Sequence, residues 1–312
     1  MLIDKKLSAQ EYFKKMEEAL RGRKDIEIEK YSLKYKAGIF PFWKIKSKTI
    51  KPKDKVFLIR AGIHGEEIAG PLTILNNINK ILDIVEKANI KFIIYPLDNP
   101  SGFENGKRYN IDNDKGENGN NDYVCYKLKN GKFSDELKNI ADYKTWYWSS
   151  QKIKNLPLET KLSHKLLKKD PLNQVVAFLD LHQDYISQNV PALAYQYTFG
   201  DLKKYKSIIK KIVKIIPFYK NTIISAGFNM TINSKGEAIQ NKDEHAPKSD
   251  ENGFVIRHDG SLADLFYRLG IENNITVETT GITPIKKAIE VNMFWIKGMI
   301  DLINKNKPRS FR

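Results

Sequence analysis

Two histidines and a glutamate follow apolar runs in the sequence, and residues of these types can hold a metal ion. His64 directly follows the run 56–63, and Glu67 comes three residues later. His182 ends a second apolar run, 175–182. Imidazole nitrogen and carboxylate oxygen both bind Zn²⁺ at about 2.0–2.2 Å, and a catalytic zinc needs three protein ligands plus an open position. His64, Glu67 and His182 are therefore predicted to hold one zinc ion per chain.

A carboxylate near the end of a further apolar run is the predicted general base. Glu278 lies in ITVETTG, where burial is costly for a glutamate unless it is paired or functional. Hydrolysis at a zinc ion needs a group that takes the proton of the attacking water and returns it to the leaving amine. Asp180, two residues before His182, is predicted to accept a hydrogen bond from that imidazole and orient it.

The other histidines and the single cysteine are weaker candidates. His164 lies in a lysine-rich helical stretch and is predicted to be a surface residue. His245 and His258 flank a polar loop, from which either could approach a substrate. Cys125 is the only cysteine, which excludes an intrachain disulfide. It is predicted to be a buried thiol without a catalytic role, because no histidine is close to it in sequence.

The elements that must position these residues are buried strands alternating with amphipathic helices. The predicted strands are VFLIRAGI, KFIIYPL, VVAFLDLH, ALAYQYTF and NITVETTG. Continuous apolar runs are typical of strands covered on both faces, and their alternation with helices predicts an α/β domain with a largely parallel sheet. Open sheets of this kind bind ligands beyond the carboxyl ends of their strands, where His64 and His182 are predicted to lie.

The chain is predicted to consist of two parts. Residues 1–50 form a helix, capped by Ser8, and a hairpin that packs on the main domain. Residues 51–312 form the catalytic domain, with a helical insertion around 130–171. The polar stretches 99–122 and 233–253 are predicted to be loops.

Charge and hydropathy bear on whether the chain binds nucleic acid, anionic substrates or membranes. The net charge is +16 and the isoelectric point is about 9.5, but lysine outnumbers arginine by more than five to one and is dispersed. No nucleic-acid partner is expected from that pattern, although a positive field favours anionic substrates. No stretch approaches the roughly 20 apolar residues of a membrane span. The charged beginning lacks an apolar leader, so a cytoplasmic location is expected. The oligomeric state is left open.

Four motifs, in order, resemble those of a known family. GIHGEE, NPSGFENGKR, LDLHQD and VETTG occur between Val56 and Gly281. Together they resemble the zinc carboxypeptidase family, peptidase M14, which includes the succinylglutamate desuccinylase and aspartoacylase branch. The resemblance implies a mixed, largely parallel eight-stranded twisted sheet with helices on both faces, one zinc, and hydrolysis of an amide bond next to a carboxylate. It also implies that Arg108 polarises the scissile carbonyl, a role that suits a permanently charged guanidinium.

The sequence departs from this family where substrate carboxylates are bound. The family's Asn-Arg pair has its nearest counterpart in NGNNDY, where Asn120 or Asn121 stands for the asparagine and the arginine is missing. The mobile tyrosine that the family places upstream of the general base has no clear match. Arg257 and His258 occupy that region, and Arg257 is the candidate for replacing the lost carboxylate contact.

The leading prediction is a metallocarboxypeptidase-like hydrolase that cleaves an amide bond in a small carboxylate-bearing peptide. A cell-wall peptide is one candidate substrate. The first alternative is an N-acyl amino acid deacylase of the aspartoacylase type, because the same metal site would serve both reactions. The second alternative is a catalytically silent binding protein with the same fold, which the altered carboxylate-binding residues allow.

Overall fold

A computed structural model of the chain describes residues 7–112, 119–184, 191–221 and 248–305. Within these ranges the strands are, in chain order, β1 (Ile26–Tyr35), β2 (Gly38–Ser47), β3 (Val56–Ala61), β4 (Lys91–Tyr95), β5 (Val124–Leu128), β6 (Phe133–Ser134), β7 (Tyr143–Trp148), β8 (Val175–Leu181), β9 (Ala194–Thr198), β10 (Phe254–Val255) and β11 (Asn273–Thr279). The α-helices are α1 (Ala9–Ala19), α2 (Ala69–Lys87), α3 (Pro100–Asn105), α4 (Leu158–Leu167), α5 (Lys206–Ile212), α6 (Leu262–Arg268) and α7 (Ile285–Lys305).

Eight strands form a mixed central sheet in the order β1-β2-β4-β3-β8-β11-β9-β10. The four middle strands, β4, β3, β8 and β11, run parallel to one another. The hairpin β1-β2 and the pairing of β9 with β11 are antiparallel. All five strands predicted from apolar runs are present, and the predicted α/β class with a mixed, largely parallel eight-stranded sheet is confirmed.

Both faces of this sheet are apolar, because successive side chains of each central strand point to opposite faces and nearly all of them are apolar. On one face the buried cluster includes residues of α1, α2, α5 and α7. On the other face it includes residues of α4, α6 and a smaller sheet. Helices therefore lie on both faces, as predicted, and the carboxyl ends of β3, β8 and β11 meet at one edge.

The N-terminal helix and hairpin are joined to this framework. Ser8 caps α1: its hydroxyl oxygen accepts from the Glu11 backbone N–H, and the Glu11 carboxylate accepts from the Ser8 backbone N–H, so both bonds of a capping box are present. Strand β2 pairs with β4, with Ile45 opposite Ile94. The hairpin thus extends the central sheet, while the division of the chain at residue 50 stays a prediction. No helix among the described residues is long and apolar enough to cross a membrane.

The predicted helical insertion is wrong over most of its length. Strands β6, β5 and β7 form a separate three-stranded antiparallel sheet, and apart from two short 3₁₀ turns the helix of this stretch is α4, which begins at Leu158. Strand β7 reads YKTWYW, and aromatic and β-branched residues favour a pleated, half-buried surface. The predicted loop 99–122 also contains a short helix, α3, capped by the Asn99 side chain.

His164 is buried, so its prediction as a surface residue is wrong. Its ring stacks on Tyr123 with centroids 4.9 Å apart, and its Nε2 lies 2.8 Å from the carbonyl oxygen of Asp122. Burial lowers the pKa of His164 to about 4. Helical periodicity did not reveal this burial, because Tyr123, on which the ring stacks, lies far earlier in the sequence. The prediction that Cys125 is a buried thiol is confirmed.

Replacing His164 with glutamine should remove an acid-dependent loss of stability. The folded-state pKa is lower than that of the unfolded chain, so protonation favours unfolding as the pH falls from about 6.5 towards about 4. At 1.36 kcal/mol per pKa unit, the wild type should lose on the order of 3 kcal/mol that the variant keeps. Urea unfolding at pH 7.5 and 4.5 measures this difference. Equal pH dependence in both proteins would contradict it.

Candidate active site

The three predicted metal ligands meet at the carboxyl edge of the sheet. His64 and Glu67 lie in the turn after β3, and His182 directly follows β8. The Nδ1 atoms of His64 and His182 each lie 2.8 Å from a different carboxylate oxygen of Glu67. Helix α2 begins at Ala69, so Glu67 precedes the helix rather than occupying its first turn. The sequence prediction thus named three residues that the structure brings together.

The donor atoms of these residues suit a zinc ion. One ligand atom from each residue lies within 4.8 Å of the other two, and all three side chains are buried. Neither ring nitrogen of His182 makes a well-angled hydrogen bond, although Glu67 is close. Buried polar atoms normally have partners, and a cation bound among two imidazoles and a carboxylate would supply one. The set therefore forms a candidate metal site.

Neighbouring groups hold the two ligands Glu67 and His182 in place. The backbone N–H of Gln183 donates to Glu67 Oε2 at 3.2 Å. Asp180 Oδ2 lies 3.3 Å from His182 Nε2, the nitrogen that faces away from the site. This contact lacks the geometry of a hydrogen bond, so the orienting role of Asp180 stays a prediction. Burial alone would lower the pKa of His182, but the negative charges of Asp180 and Glu67 raise it well above its usual value.

Gly65 and Gly102 pack closely against each other, and this packing places the segment that carries Arg108 beside the metal ligands. A Cβ atom at Gly65 would lie only 2.1 Å from the carbonyl carbon of Gly102 in α3, so a larger residue would separate the two segments. The Gly65 N–H donates to the carbonyl oxygen of Arg108 at 3.1 Å. The Asn99 amide donates to the same oxygen at 3.2 Å. The motifs GIHGEE and NPSGFENGKR therefore form one packed unit.

The guanidinium of Arg108 lies against the metal site. Its Nη1 is 2.9 Å from Glu67 Oε1 and 3.1 Å from Glu66 Oε1. The side chain keeps 28% of its exposure, so a substrate can reach it. A partly exposed, permanently charged donor next to a metal ligand can stabilise a negative oxygen that develops during a reaction.

Glu278, the predicted general base, also lies at this site. Its Oε1 is 3.5 Å from His182 Nδ1, and its backbone pairs with Tyr195 of β9. Glu278 is 8% exposed, and burial, together with the charges of Glu67 and Asp184, raises the pKa of Glu278. A bound divalent cation would oppose these effects by its own charge. The carboxylate is close to the ligands without belonging to the three-residue set.

His258 is engaged elsewhere. Its ring stacks on Phe199 at 4.8 Å between centroids and packs against Tyr267 at 6.0 Å. Its Nδ1 lies 3.0 Å from the buried carboxylate of Asp264 in α6. These contacts fix the segment before α6, and none of them reaches a metal ligand. His245, the other histidine of that polar stretch, lies outside the described residues.

Asn120 and Asn121 form part of a short 3₁₀ turn, 119–121, beside the same segment. The Asn121 carbonyl oxygen would lie 2.6 Å from a Cβ atom at Gly260, whose φ is +74°. Only glycine fits both that backbone conformation and that approach. The contact is made by the backbone of Asn121, so it assigns no substrate role to the side chain.

Arg257 lies two residues after β10 and forms an ion pair with Glu136, which follows β6. Its Nε is 3.1 Å from Glu136 Oε1, and 28% of its side chain is exposed. Burial opposes the charge, but the neighbouring acids Asp259 and Glu136 raise the pKa of Arg257. Tyr197 is close enough to interact electrostatically with both Arg257 and Glu278.

Tyr197 was missed from the sequence. It is half-buried on β9 and lies close enough to Glu278 to interact with it electrostatically. Tyr195, two residues earlier, donates a hydrogen bond to Asp184. The alternation in AYQYT was a usable signal, because residues two apart on a strand point to the same face.

A metal site with a buried carboxylate and an arginine beside it is characteristic of zinc-dependent hydrolases of amide bonds. Residues 40–295 match the family model described as zinc carboxypeptidase, and the chain belongs to that family. It is thus a hydrolase of the metallopeptidase type, and zinc is the metal of its family.

Solved structures show the same fold. A protein from Shewanella baltica OS155 assigned as a metallopeptidase shares 20% identity, with 94% of this chain and 91% of that chain covered and a TM-score of 0.65. Bovine thrombin-activatable fibrinolysis inhibitor, in complex with tick carboxypeptidase inhibitor, shares 16% identity, with 97% and 99% covered and a TM-score of 0.59. A metallo-carboxypeptidase from Burkholderia cenocepacia shares 12%, with 94% and 68% covered and a TM-score of 0.55. No curated protein matches the sequence significantly.

Proposed function

We propose that this protein uses zinc to hydrolyse an amide bond next to a carboxylate in a small peptide, as a metallocarboxypeptidase does. The observation that carries the proposal is the position of Glu278, buried 3.5 Å from His182 and outside the three-residue ligand set. A structural site needs no such extra carboxylate, whereas a hydrolytic site needs a base beside an open metal position.

The chain's own residues divide the chemistry between them. Bound zinc supplies a Lewis acid and lowers the pKa of a water molecule. Glu278 accepts the proton of the attacking water and returns it to the leaving amine nitrogen, since its carboxylate lies on the Nδ1 side of His182 without being a ligand, whereas Asp180 contacts the opposite ring nitrogen. Arg108 donates hydrogen bonds to the carbonyl oxygen as negative charge develops on it.

Arg257 is the proposed contact for the substrate carboxylate. It is a partly exposed cation in a segment that also approaches Tyr197, and Tyr197 in turn neighbours Glu278. The hydroxyl of Tyr197 can donate a hydrogen bond to the substrate carboxylate as well. A net charge of +16 adds a long-range attraction for anionic substrates.

Substituting Arg257 with glutamine should raise KM about tenfold or more and change kcat little. The charge-assisted contact would bind the substrate and the transition state alike, and such losses appear in KM. The matched control is Arg23→Gln, which removes one arginine charge from ion pairs with Asp25 and Asp83, neither of which is a site residue. Equal effects of the two variants would reject Arg257 as a specific contact.

A paired metal and substrate experiment tests the proposed function. Protein purified without chelators should contain zinc near one equivalent and release C-terminal residues from short peptides, including muropeptides. Release of amino acids from N-acyl amino acids instead would establish the deacylase. Stoichiometric zinc without turnover of either substrate class, or an absence of zinc, would favour a silent binding protein and reject the hydrolase.

A further inference from the structure

A row of polar side chains crosses the central sheet directly beneath the metal ligands. Arg60 of β3 is the register partner of Tyr95 on β4 and of Asp180 on β8. Register partners on neighbouring strands point to the same face of a sheet, and so do residues two apart on one strand. Arg60 and Asp180 are therefore side by side, and His182 follows Asp180 on the same face.

Arg60 is a fully buried cation. Its side chain is 0% exposed, its Nε donates to Asp98 Oδ2 at 2.6 Å, and its Nη2 also pairs with Asp98. The guanidinium carbon lies 4.3 Å from the centre of the Tyr95 ring and 6.0 Å from that of Tyr123. Burying a charge in this way is costly unless neighbouring charges compensate it.

The acids around Arg60 outnumber it. Asp98 and Asp180 are both buried, and both act electrostatically on Arg60. Among the described residues neither oxygen of Asp180 has a well-angled hydrogen-bond donor, and His182 Nε2 lies 3.3 Å from Oδ2. An imidazole that ligates a metal is neutral, so it leaves the Asp180 carboxylate without a formal positive partner on that side. Arg60 is then the cation that faces Asp180 within the described part of the sheet.

We propose that Arg60 is a positioning residue for the metal centre: its guanidinium compensates the buried charge of Asp180 and so keeps Asp180 in place to orient His182. The inference rests on the proposed metal site but concerns a residue that touches neither metal nor substrate. This role explains why an apolar run, VFLIRAGI, contains one charged residue. Groups that orient a ligand imidazole commonly affect metal affinity by 10–100-fold.

A rival explanation is that Arg60 serves only Asp98. On that view the two side chains form an ion pair that stabilises the fold, and the metal site is indifferent to them. The two explanations differ when the pair is removed as a neutral unit. Arg60→Met with Asp98→Asn leaves no lone charge from the pair itself, yet it still removes the cation beside Asp180.

The test is the zinc dissociation constant, measured by competition with a chromogenic chelator, for folded variants. We expect Arg60→Met/Asp98→Asn to weaken zinc binding at least tenfold and Asp180→Asn to do the same. We expect Asp98→Asn alone to change it less than threefold, because Arg60 still faces Asp180. Arg60→Lys, which keeps the charge, should stay closer to the wild type than Arg60→Met/Asp98→Asn.

Coupling gives a second measurement. Adding Asp180→Asn to Arg60→Met/Asp98→Asn should cost less than threefold more affinity, because Arg60 acts through Asp180. Wild-type zinc affinity in the paired variant, or full additivity with Asp180→Asn, would overturn the role of Arg60. If the paired variant does not fold, an Arg60→Lys affinity as weak as that of Asp180→Asn would overturn it instead. A wild type that binds no zinc would overturn the proposed function itself, which is a separate result.

Discussion

Glu278→Gln should lower kcat by roughly 10²–10⁴-fold while the protein keeps its zinc. Glutamine has the same size as glutamate and preserves the packing against β9, but its amide cannot accept a proton from water. Glu278 lies 3.5 Å from His182 and is not one of the three clustered ligands, so the metal should stay bound. Turnover of the substrate found by screening, and metal content by emission spectrometry, measure the two effects separately.

Glu272→Gln is the matched control for this variant. It makes the same carboxylate-to-amide change at an exposed residue just before β11, the strand that carries Glu278 at its other end. The control should retain wild-type kcat and zinc. Near-normal turnover in Glu278→Gln would show that another group is the base. Loss of zinc together with activity would instead make Glu278 part of the metal site.

The sequence predicted the sheet and the metal ligands because their signals are local. Long apolar runs specify the central strands, and a histidine directly after such a run must lie at the sheet edge. His64, Glu67 and His182 were accessible for this reason. The start of the first helix was equally predictable, since the capping residues Ser8 and Glu11 are only three positions apart.

Residues whose roles depend on distant partners were not predictable in this way. Arg257 and His258 are adjacent in sequence, yet one pairs with Glu136 of the small sheet and the other is stacked against Phe199. Only the folded chain shows which neighbour each side chain meets. Arg60 was visible as a charge inside an apolar run, but its partner Asp98 lies 38 residues away.

The small sheet was mistaken for helix for a related reason. Its three strands are short and half-buried, so their apolar alternation is weak. They are stabilised mainly by pairing with one another and by contacts with α6, which are tertiary effects. His164 and His258 both owe their surroundings partly to this sheet, since Trp148 of β7 packs against His164 and Tyr126 of β5 packs against His258. The burial of His164 was missed for this reason.

Removal of zinc should abolish turnover and lower the thermal unfolding midpoint while leaving the fold intact. Without a cation, the Glu67 carboxylate still lies 2.8 Å from both imidazoles and 2.9 Å from the Arg108 guanidinium, so these contacts hold the ligands together. Binding to the native state alone adds RT ln(1 + [L]/Kd), about 2.7 kcal/mol at a free zinc concentration 100 times Kd. Calorimetry across a series of buffered zinc concentrations measures the shift.

Glu67→Gln separates the site from non-specific effects of zinc. The amide keeps the volume of the side chain but loses the charge that faces both imidazoles, so the variant should show a midpoint independent of zinc and no turnover. Magnesium should fail to replace zinc in the wild type, because Mg²⁺ prefers oxygen ligands in octahedral geometry. A wild-type midpoint unchanged between chelator and saturating zinc would mean that the three converging side chains hold no metal, since any ion bound preferentially to the native state must stabilise it.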